Sequence, residues 1–222
     1  MLVNFNFRVI FEYLPLFLTG LKYTFIIALI SLFLALIIGI IACACRISNF
    51  KFLRYPVIAY IEVIRSTPLL VQIYFLYFGL PTLGISVPEI QTGIIALMFN
   101  SGAYIAEILR AGINSVDEGQ LEAGLSSGLN YYQRMRFIIL PQAFGVTIPP
   151  LLGQAIVLVK DTALLSLISV MELTRSGQTM TSERFMPAEA FLTVAFFYMV
   201  VYLCLKYFAN WSQKKLIFRE AY

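Results

Sequence analysis

The sequence contains no histidine, three cysteines and one tryptophan among its 222 residues. The absence of histidine excludes imidazole-based acid–base catalysis, haem ligation through histidine and metal sites that need it. Cys43, Cys45 and Cys204 are odd in number and lie in apolar runs, so we expect buried free thiols. None of the six lysines follows a glycine, which excludes a Gly-Lys-Ser/Thr phosphate-binding loop.

Charge is also scarce. Only 13% of the residues are charged, whereas 60% are hydrophobic, and the mean hydropathy is +0.84. Residues 23–45, 66–88 and 137–159 carry no charge at all. A helix of such a length spans about 35 Å, enough to cross a bilayer core of about 30 Å. The chain is therefore predicted to be an integral membrane protein, and its net charge of +4 (16 − 12) requires no nucleic acid.

The hydrophobic pattern predicts an all-α membrane protein with five transmembrane helices over residues 19–210. The spans are expected at about residues 19–45, 57–80, 91–113, 143–168 and 188–209. Residues 1–18 are interpreted as an amphipathic lead-in that lies in the membrane interface and is broken by Pro15. A two-helix loop is expected at 114–140, and residues 211–222 form a tail.

The distribution of Lys and Arg predicts the orientation of these spans. With the N-terminus outside and the C-terminus in the cytoplasm, ten basic residues lie inside and four outside. The inside residues are Arg46, Lys51, Arg54, Arg110, Arg134, Arg136, Lys206, Lys214, Lys215 and Arg219, and the outside ones are Arg8, Lys22, Arg175 and Arg184. The loop 114–140 is thereby placed in the cytoplasm.

Several charged residues fall within the predicted spans, where each is expected to have a charged partner, contact with water or a functional role. Glu62 and Arg65 lie three residues apart on one helix face and are expected to neutralise each other. Glu107 and Arg110 repeat that spacing near the cytoplasmic end of the third span, where they are also placed to reach the membrane surface.

Lys160 and Asp161 are adjacent, so their side chains point about 100° apart on a helix. We expect one of them to pack against a neighbouring helix and the other to face a cavity. Asn100, Ser101 and Gln72 lie at similar depth in other spans. These residue types suit the ammonium and carboxylate of an amino acid, but hydrogen bonds between helices are an equally open reading.

The loop 114–140 reads as two short capped helices joined at a glycine. Ser115 and Glu118 have the spacing of a capping box, which predicts a helix that begins near residue 116. Gly128 can supply the left-handed residue that ends it. Asn130 with Gln133 then offers a second helix start.

The spacing of this loop resembles the EAA motif of the membrane subunits of ABC importers. The matching positions are Glu122, Ala123, Gly128, Ile138, Leu140 and Pro141. Gly124 stands where the motif has alanine, which weakens the helix slightly. Leu121 and Leu125 fall on one face of this helix. Pro141 is expected where the chain turns back toward the fourth span. The resemblance implies that the loop inserts a coupling helix into a cytoplasmic ATPase.

Further stretches resemble the polar amino acid permeases among these importers. They are Arg65–Leu70 with Gln72, Tyr77–Pro81, Ser101–Ile113, Gly119–Gln120, Leu140–Ala143 and Lys160–Leu164. The resemblance implies a substrate site midway between the second, third and fourth spans. We interpret Asp161 as the partner of the substrate ammonium or of a cationic side chain. The other candidate binding residues are Gln72, Asn100, Ser101, Tyr104 and Thr162.

The resemblance also implies the partners. The chain is expected to be a transport subunit rather than an enzyme, without a cofactor of its own, in the cytoplasmic membrane of a prokaryote. ATP and Mg²⁺ would be bound by a dimer of separate ATPase subunits, and a second permease subunit, identical or related, would complete the pathway. An extracytoplasmic binding protein would deliver a basic, amide, acidic or cystine-type L-amino acid to an outer mouth at residues 172–189. The alternative is a proton- or ion-coupled carrier that relays protons through Glu62, Glu107 or Asp161.

Overall fold

The computed structural model describes the backbone of residues 5–220 and the side chains of residues 5–212. Residues 1–4 and 221–222, the ends of the predicted lead-in and tail, lie outside the described part. Helices with short connections make up the described chain, and no strand occurs in it. Four of its helices are long and apolar enough to cross a membrane, and a bent pair of helices, counted as one span, gives a fifth. The predicted all-α fold with five spans is confirmed.

Helix α1 runs from Phe7 to Ile47. The predicted break at Pro15 is therefore wrong, because the proline lies inside this helix. The side chain of Asn6 caps its first turn by accepting a hydrogen bond from the Arg8 amide. The helix continues past Pro15 because tertiary contacts hold both sides of the proline. Tyr13 bonds Glu183, and the carbonyl of Leu16 accepts a bond from Ser176. Its 41 residues extend about 60 Å, twice the thickness of a bilayer core.

The second span is broken, which corrects the single helix expected at 57–80. Helix α2 (Lys51–Ser66) is followed by α3 (Leu69–Tyr74), a π-helical turn (Phe75–Gly79) and a 3₁₀ turn (Leu80–Leu83). The chain bends by 108° between the two halves. Pro68 explains the break, because a residue before proline is forced out of the helical region and Thr67 accordingly has φ −114° and ψ 142°.

Helix α4 (Glu89–Asn114) is the centre of the fold and matches the predicted third span closely. It packs most extensively against α1 and α7, and its buried face is rich in small residues that let the helix backbones approach closely. The buried small residues are Gly93, Ala96, Ser101, Gly102, Ala103, Ala106 and Gly112.

The fourth span begins inside the predicted loop. Helix α5 (Glu118–Ser126) is separate, but α6 (Tyr131–Arg134) continues through a π-helical turn (Met135–Ile139) into α7 (Leu140–Asp161) and a 3₁₀ turn (Thr162–Ile168). The sequence predicted that the chain turns back at Pro141. This prediction is wrong, because the helix continues through the proline. The wider π-helical turn, in which the amide of Leu140 bonds the carbonyl of Met135, accommodates the proline ring within a continuous helix.

The polar segment before the last span forms helix α8 (Leu173–Arg184), and α9 (Pro187–Glu220) contains the fifth span. The buried Glu172 side chain caps α8 by accepting bonds from the amides of Thr174 and Arg175. Burial raises the pKa of this carboxyl above its usual value, and the two amides partly offset the effect. Cys43, Cys45 and Cys204 are free as expected, but only Cys43 is buried, whereas Cys45 is half-buried and Cys204 is exposed.

Gly20→Ala is expected to destabilise the protein by about 1–3 kcal/mol through overpacking. A Cβ atom at this position would clash with the Ser176 hydroxyl and lie 2.8 Å from the carbonyl oxygen of Glu172. Thermal unfolding of the detergent-solubilised protein measures the effect. Gly153→Ala is the matched control, because nothing lies within 4 Å of its added Cβ and alanine favours a helix. Equal melting temperatures for the two variants would contradict the close contact of α1 with α8.

Candidate functional site

A cavity of about 540 Å³ lies where the break between α2 and α3 faces α4 and α7. We call it the central cavity. Its wall consists of Arg65, Ser66, Thr67, Pro68, Leu69, Asn100, Tyr104, Gln154, Val157 and Asp161. The volume suits a small organic molecule, and polar groups converge on it from three spans. The break in the second span is what exposes Ser66 and Thr67 to this space.

Lys160 and Asp161 point in different directions, as their adjacency predicts. Asp161 lines the central cavity, whereas the Lys160 ammonium lies 5.9 Å from the centre of the Tyr202 ring on α9. The contact is a cation–π interaction. Lys160 is therefore not the ionic partner of Asp161. Among the described residues, no ion pair involves the Asp161 carboxylate.

The structure brings together some of the predicted binding residues and separates others from the cavity. Asn100, Tyr104 and Asp161 lie in the wall. Ser101 lies behind it, where its hydroxyl accepts a bond from the Gln154 side chain at 3.3 Å. Thr162 is fully buried, and its hydroxyl donates to the carbonyl of Val159.

Gln72 holds the break in the second span together and does not line the cavity. Its side-chain nitrogen donates to the carbonyl of Ile64 at 2.8 Å and also bonds Thr67, satisfying groups that the interrupted helix leaves open. Its side-chain oxygen accepts a bond from Asn100 at 3.0 Å. Gln72 and Asn100 therefore form a hydrogen bond between the second and third spans, while Asn100 also lies in the cavity wall.

Gln154 also lies in the wall, although it was not among the binding residues predicted from the sequence. It lies within a run without charge and precedes Asp161 by seven residues, which puts both side chains on the same face of α7. That spacing was the available signal. Ser66 and Thr67 were also missed as wall residues, because their exposure depends on the bend at Pro68.

A cluster of charges borders the central cavity. Glu107 on α4 contacts Arg110 at 3.0 Å, Arg46 on α1 at 2.8 Å and Arg65 on α2 at 3.5 Å. The Glu107–Arg110 pair was predicted and is confirmed. The predicted pairing of Glu62 with Arg65 is wrong, because Arg65 extends to α4, where its guanidinium lies over the Tyr104 ring. Glu62 instead lies 3.8 Å from Arg46.

Helix α5 begins two residues later than the predicted capping box would place it. Its N-cap is Asp117, whose carboxylate accepts a hydrogen bond from the Gly119 amide at 2.8 Å. Ser115 belongs to the end of α4, and its hydroxyl donates to the carbonyl of Gly112 at 2.8 Å. The hydroxyl is thus occupied by the preceding helix and cannot cap the next one.

The connection after α5 has the predicted form. Gly128 has φ +78°, its amide bonds Leu125, and the amide of Leu129 bonds Gly124, which together form a Schellman motif. Asn130 and Gln133 then cap α6 reciprocally, with both hydrogen bonds at 2.9 Å. We call residues 114–140 the elbow, because α5 and α6 meet there at a fixed turn.

The exposed surface of α5 in the elbow contains both polar and apolar side chains. Glu122 and Ala123 are exposed, and Leu125 keeps 55% of its surface accessible. Gly124 is buried instead, since a Cβ there would lie 2.7 Å from Ile138 and 3.2 Å from Arg134. Its small size therefore allows the close packing of α5 against Arg134 and Ile138 within the elbow. Of the remaining motif residues, Pro141 is exposed and Leu140 is half-buried.

The chain belongs to the family of binding-protein-dependent transport system inner membrane components, which matches residues 35–218. It is accordingly a multi-pass permease subunit of an ABC transporter. The match includes the break, the central cavity and the elbow.

Known proteins are similar in sequence to this chain over nearly its whole length. The probable glutamine ABC transporter permease protein GlnM of Bacillus subtilis is 36% identical over 95% of this chain and 98% of its own length. The glutamine transport system permease protein GlnP of Escherichia coli is 36% identical over 96% and 99%. A crystal structure of an amino acid ABC transporter with histidines superposes with a TM-score of 0.92 and 35% identity, covering 97% of this chain and 100% of that one.

Proposed function

We propose that this chain is the permease of an importer that moves a polar L-amino acid across the cytoplasmic membrane of a prokaryote. The observation that carries the proposal is Asp161, a carboxylate in the wall of the central cavity with its lysine neighbour turned away. A charged group within a membrane span is costly to keep, which marks it as a functional residue. An amino acid ammonium is the group that it suits.

The wall of the cavity supports this substrate class. Asn100 and Gln154 offer both donors and acceptors, and Tyr104 adds an aromatic face. Ser101 positions Gln154, Gln72 positions Asn100, and the buried Thr162 follows Asp161 at the end of α7. The binding residues proposed from the sequence thus divide into a wall and a layer that orients it.

The elbow is the proposed docking site for the ATPase. The bias of ten basic residues inside against four outside favours its cytoplasmic placement. Two ATPase subunits, each with its own ATP and Mg²⁺, would press on the elbows of two permeases, identical or related. ATP-driven closure would open the pathway outward. A liganded binding protein would then release substrate near α8, on the opposite side of the membrane.

Reconstitution of the permease in liposomes tests this function. The chain alone should give no ATP-dependent uptake of radiolabelled L-glutamine, L-arginine or L-cystine. Addition of its ATPase and the loaded binding protein should start uptake of at least one of them. An ATPase variant that cannot hydrolyse ATP is the control. Concentrative uptake by the chain alone, driven by a proton gradient, would instead establish a secondary carrier.

A further inference from the structure

We propose that Arg65 binds the α-carboxylate of the transported amino acid, so that this carboxylate replaces Glu107 as the partner of Arg65. The cavity then selects an amino acid with an uncharged polar side chain. The inference rests on the proposed function and assigns the second charge of its substrate. Arg65 belongs to both the central cavity and the charge cluster, which no other arginine in the described part of the chain does.

Arg65 is the most weakly held of the three arginines around Glu107. Its guanidinium lies 3.5 Å from the carboxylate, compared with 2.8 Å for Arg46 and 3.0 Å for Arg110. Arg110 is bound through two nitrogens, which fixes its geometry. The Arg65 side chain is also the most exposed of the three, at 39% against 16% and 32%. It is therefore the guanidinium that is available to another anion.

The charge balance of the cluster favours such an anion. Three arginines surround the single Glu107 carboxylate, and Glu62 is mostly exposed and lies 3.8 Å from Arg46. The cluster as a whole carries an excess of positive charge, and Arg65 presents it to the cavity. The Tyr104 ring, 5.3 Å from the guanidinium carbon, holds the plane of Arg65 in place. A carboxylate can then be bound by two parallel hydrogen bonds.

The cavity wall contains one positive and one negative side chain, Arg65 and Asp161. A zwitterionic amino acid uses both with its own carboxylate and ammonium. A cationic side chain would find no second carboxylate in this wall, and an anionic one no second cation. The groups that remain are Asn100, Gln154, Ser66 and Thr67, which form hydrogen bonds without charge. These match a side chain such as a carboxamide.

Substrate binding at Arg65 would also act on the elbow. Arg65 ends α2 and Glu107 lies seven residues before the end of α4, which leads directly into α5. When the substrate carboxylate engages Arg65, the link between α2 and α4 is exchanged for a link through the substrate. Occupancy of the cavity is thereby connected to the helix that carries the elbow.

Binding to the complex of permease and ATPase in lipid nanodiscs, without the binding protein, tests the assignment. L-Glutamine, L-arginine and L-glutamate are compared, and L-glutaminamide serves as the probe that lacks the carboxylate. The wild type should bind L-glutamine most tightly and L-glutaminamide about tenfold more weakly or worse. Arg65→Gln should weaken L-glutamine by a similar factor and leave L-glutaminamide unchanged, while Arg65→Lys should show a partial loss.

Arg46→Gln is the matched control, because Arg46 contacts Glu107 but does not line the cavity. It should leave the ratio of L-glutamine to L-glutaminamide affinity unchanged. A wild type that does not distinguish the two compounds overturns the proposal, as does an Arg65→Gln variant that weakens both equally. Tighter binding of L-arginine than of L-glutamine would overturn the selectivity. Failure of these tests leaves the uptake measured in liposomes untouched, so the two proposals are separable.

Discussion

Asp161→Asn is expected to lower amino acid uptake and substrate-stimulated ATP hydrolysis by about tenfold or more. The change removes the negative charge that we assign to the substrate ammonium and keeps the size of the side chain. A charge-assisted hydrogen bond contributes about 1.5–3 kcal/mol, which corresponds to roughly 10- to 150-fold in affinity. Uptake into liposomes that contain the complete transporter measures the effect, and basal ATP hydrolysis without substrate should change little.

Lys160→Gln provides the control for this experiment. It removes a charge at the adjacent position, but Lys160 lies against Tyr202 on α9 and not in the cavity wall. Uptake by this variant should stay within about threefold of the wild type, since an exposed cation–π contact contributes about 0.5–1 kcal/mol. If Asp161→Asn transports as well as Lys160→Gln does, the assignment of the substrate ammonium to Asp161 is wrong.

Leu125→Asp should separate the permease from its ATPase. Leu125 is an apolar side chain on a short exposed helix of the elbow, where 55% of its surface is open to a partner. Apolar side chains that fill a partner's pocket account for much of the binding energy of an interface, and a charge there also has to be desolvated. We expect at least a tenfold loss of co-purified ATPase and of uptake, with no change in the thermal stability of the permease alone.

Phe185→Asp makes the same kind of change elsewhere. Phe185 is 86% exposed at the end of α8, and its left-handed backbone (φ 55°) tolerates aspartate. This variant should retain the ATPase fully. Normal co-purification of the ATPase with Leu125→Asp would show that this face of the elbow is not the docking surface. Gly124 is unsuitable for this test, because bulk at that position disturbs the elbow itself.

The sequence predicted the features that depend on composition and local spacing. Runs without charge identified the spans, and the reciprocal cap of Asn130 and Gln133 was correct because both partners lie within one turn. Adjacent residues on a helix must diverge, so the separation of Lys160 from Asp161 also followed from the sequence. The cavity residue Gln154 was within reach of the same argument.

Other features depended on competition between distant groups. Ser115 and Asp117 can both cap a helix, and the choice was made by the end of α4, which occupies the Ser115 hydroxyl. Arg65 had Glu62 on its own helix face, but Glu107 on another helix offered a closer contact. The bend at Pro68 also changed the role of Gln72, because an interrupted helix leaves carbonyl groups that a nearby amide satisfies.

The π-helical turn at Met135–Ile139 holds one residue more than an α-helical turn between the elbow and the fourth span. If that extra residue passed into the neighbouring helix, the segment before it would rotate by about 100° and shift by about 1.5 Å along the axis. Such a movement leaves the hydrogen bonds of both flanking helices in place. If the ATPase docks on the elbow as proposed, this turn would let a movement of the elbow reach the fourth span as a rotation rather than as unfolding of a helix.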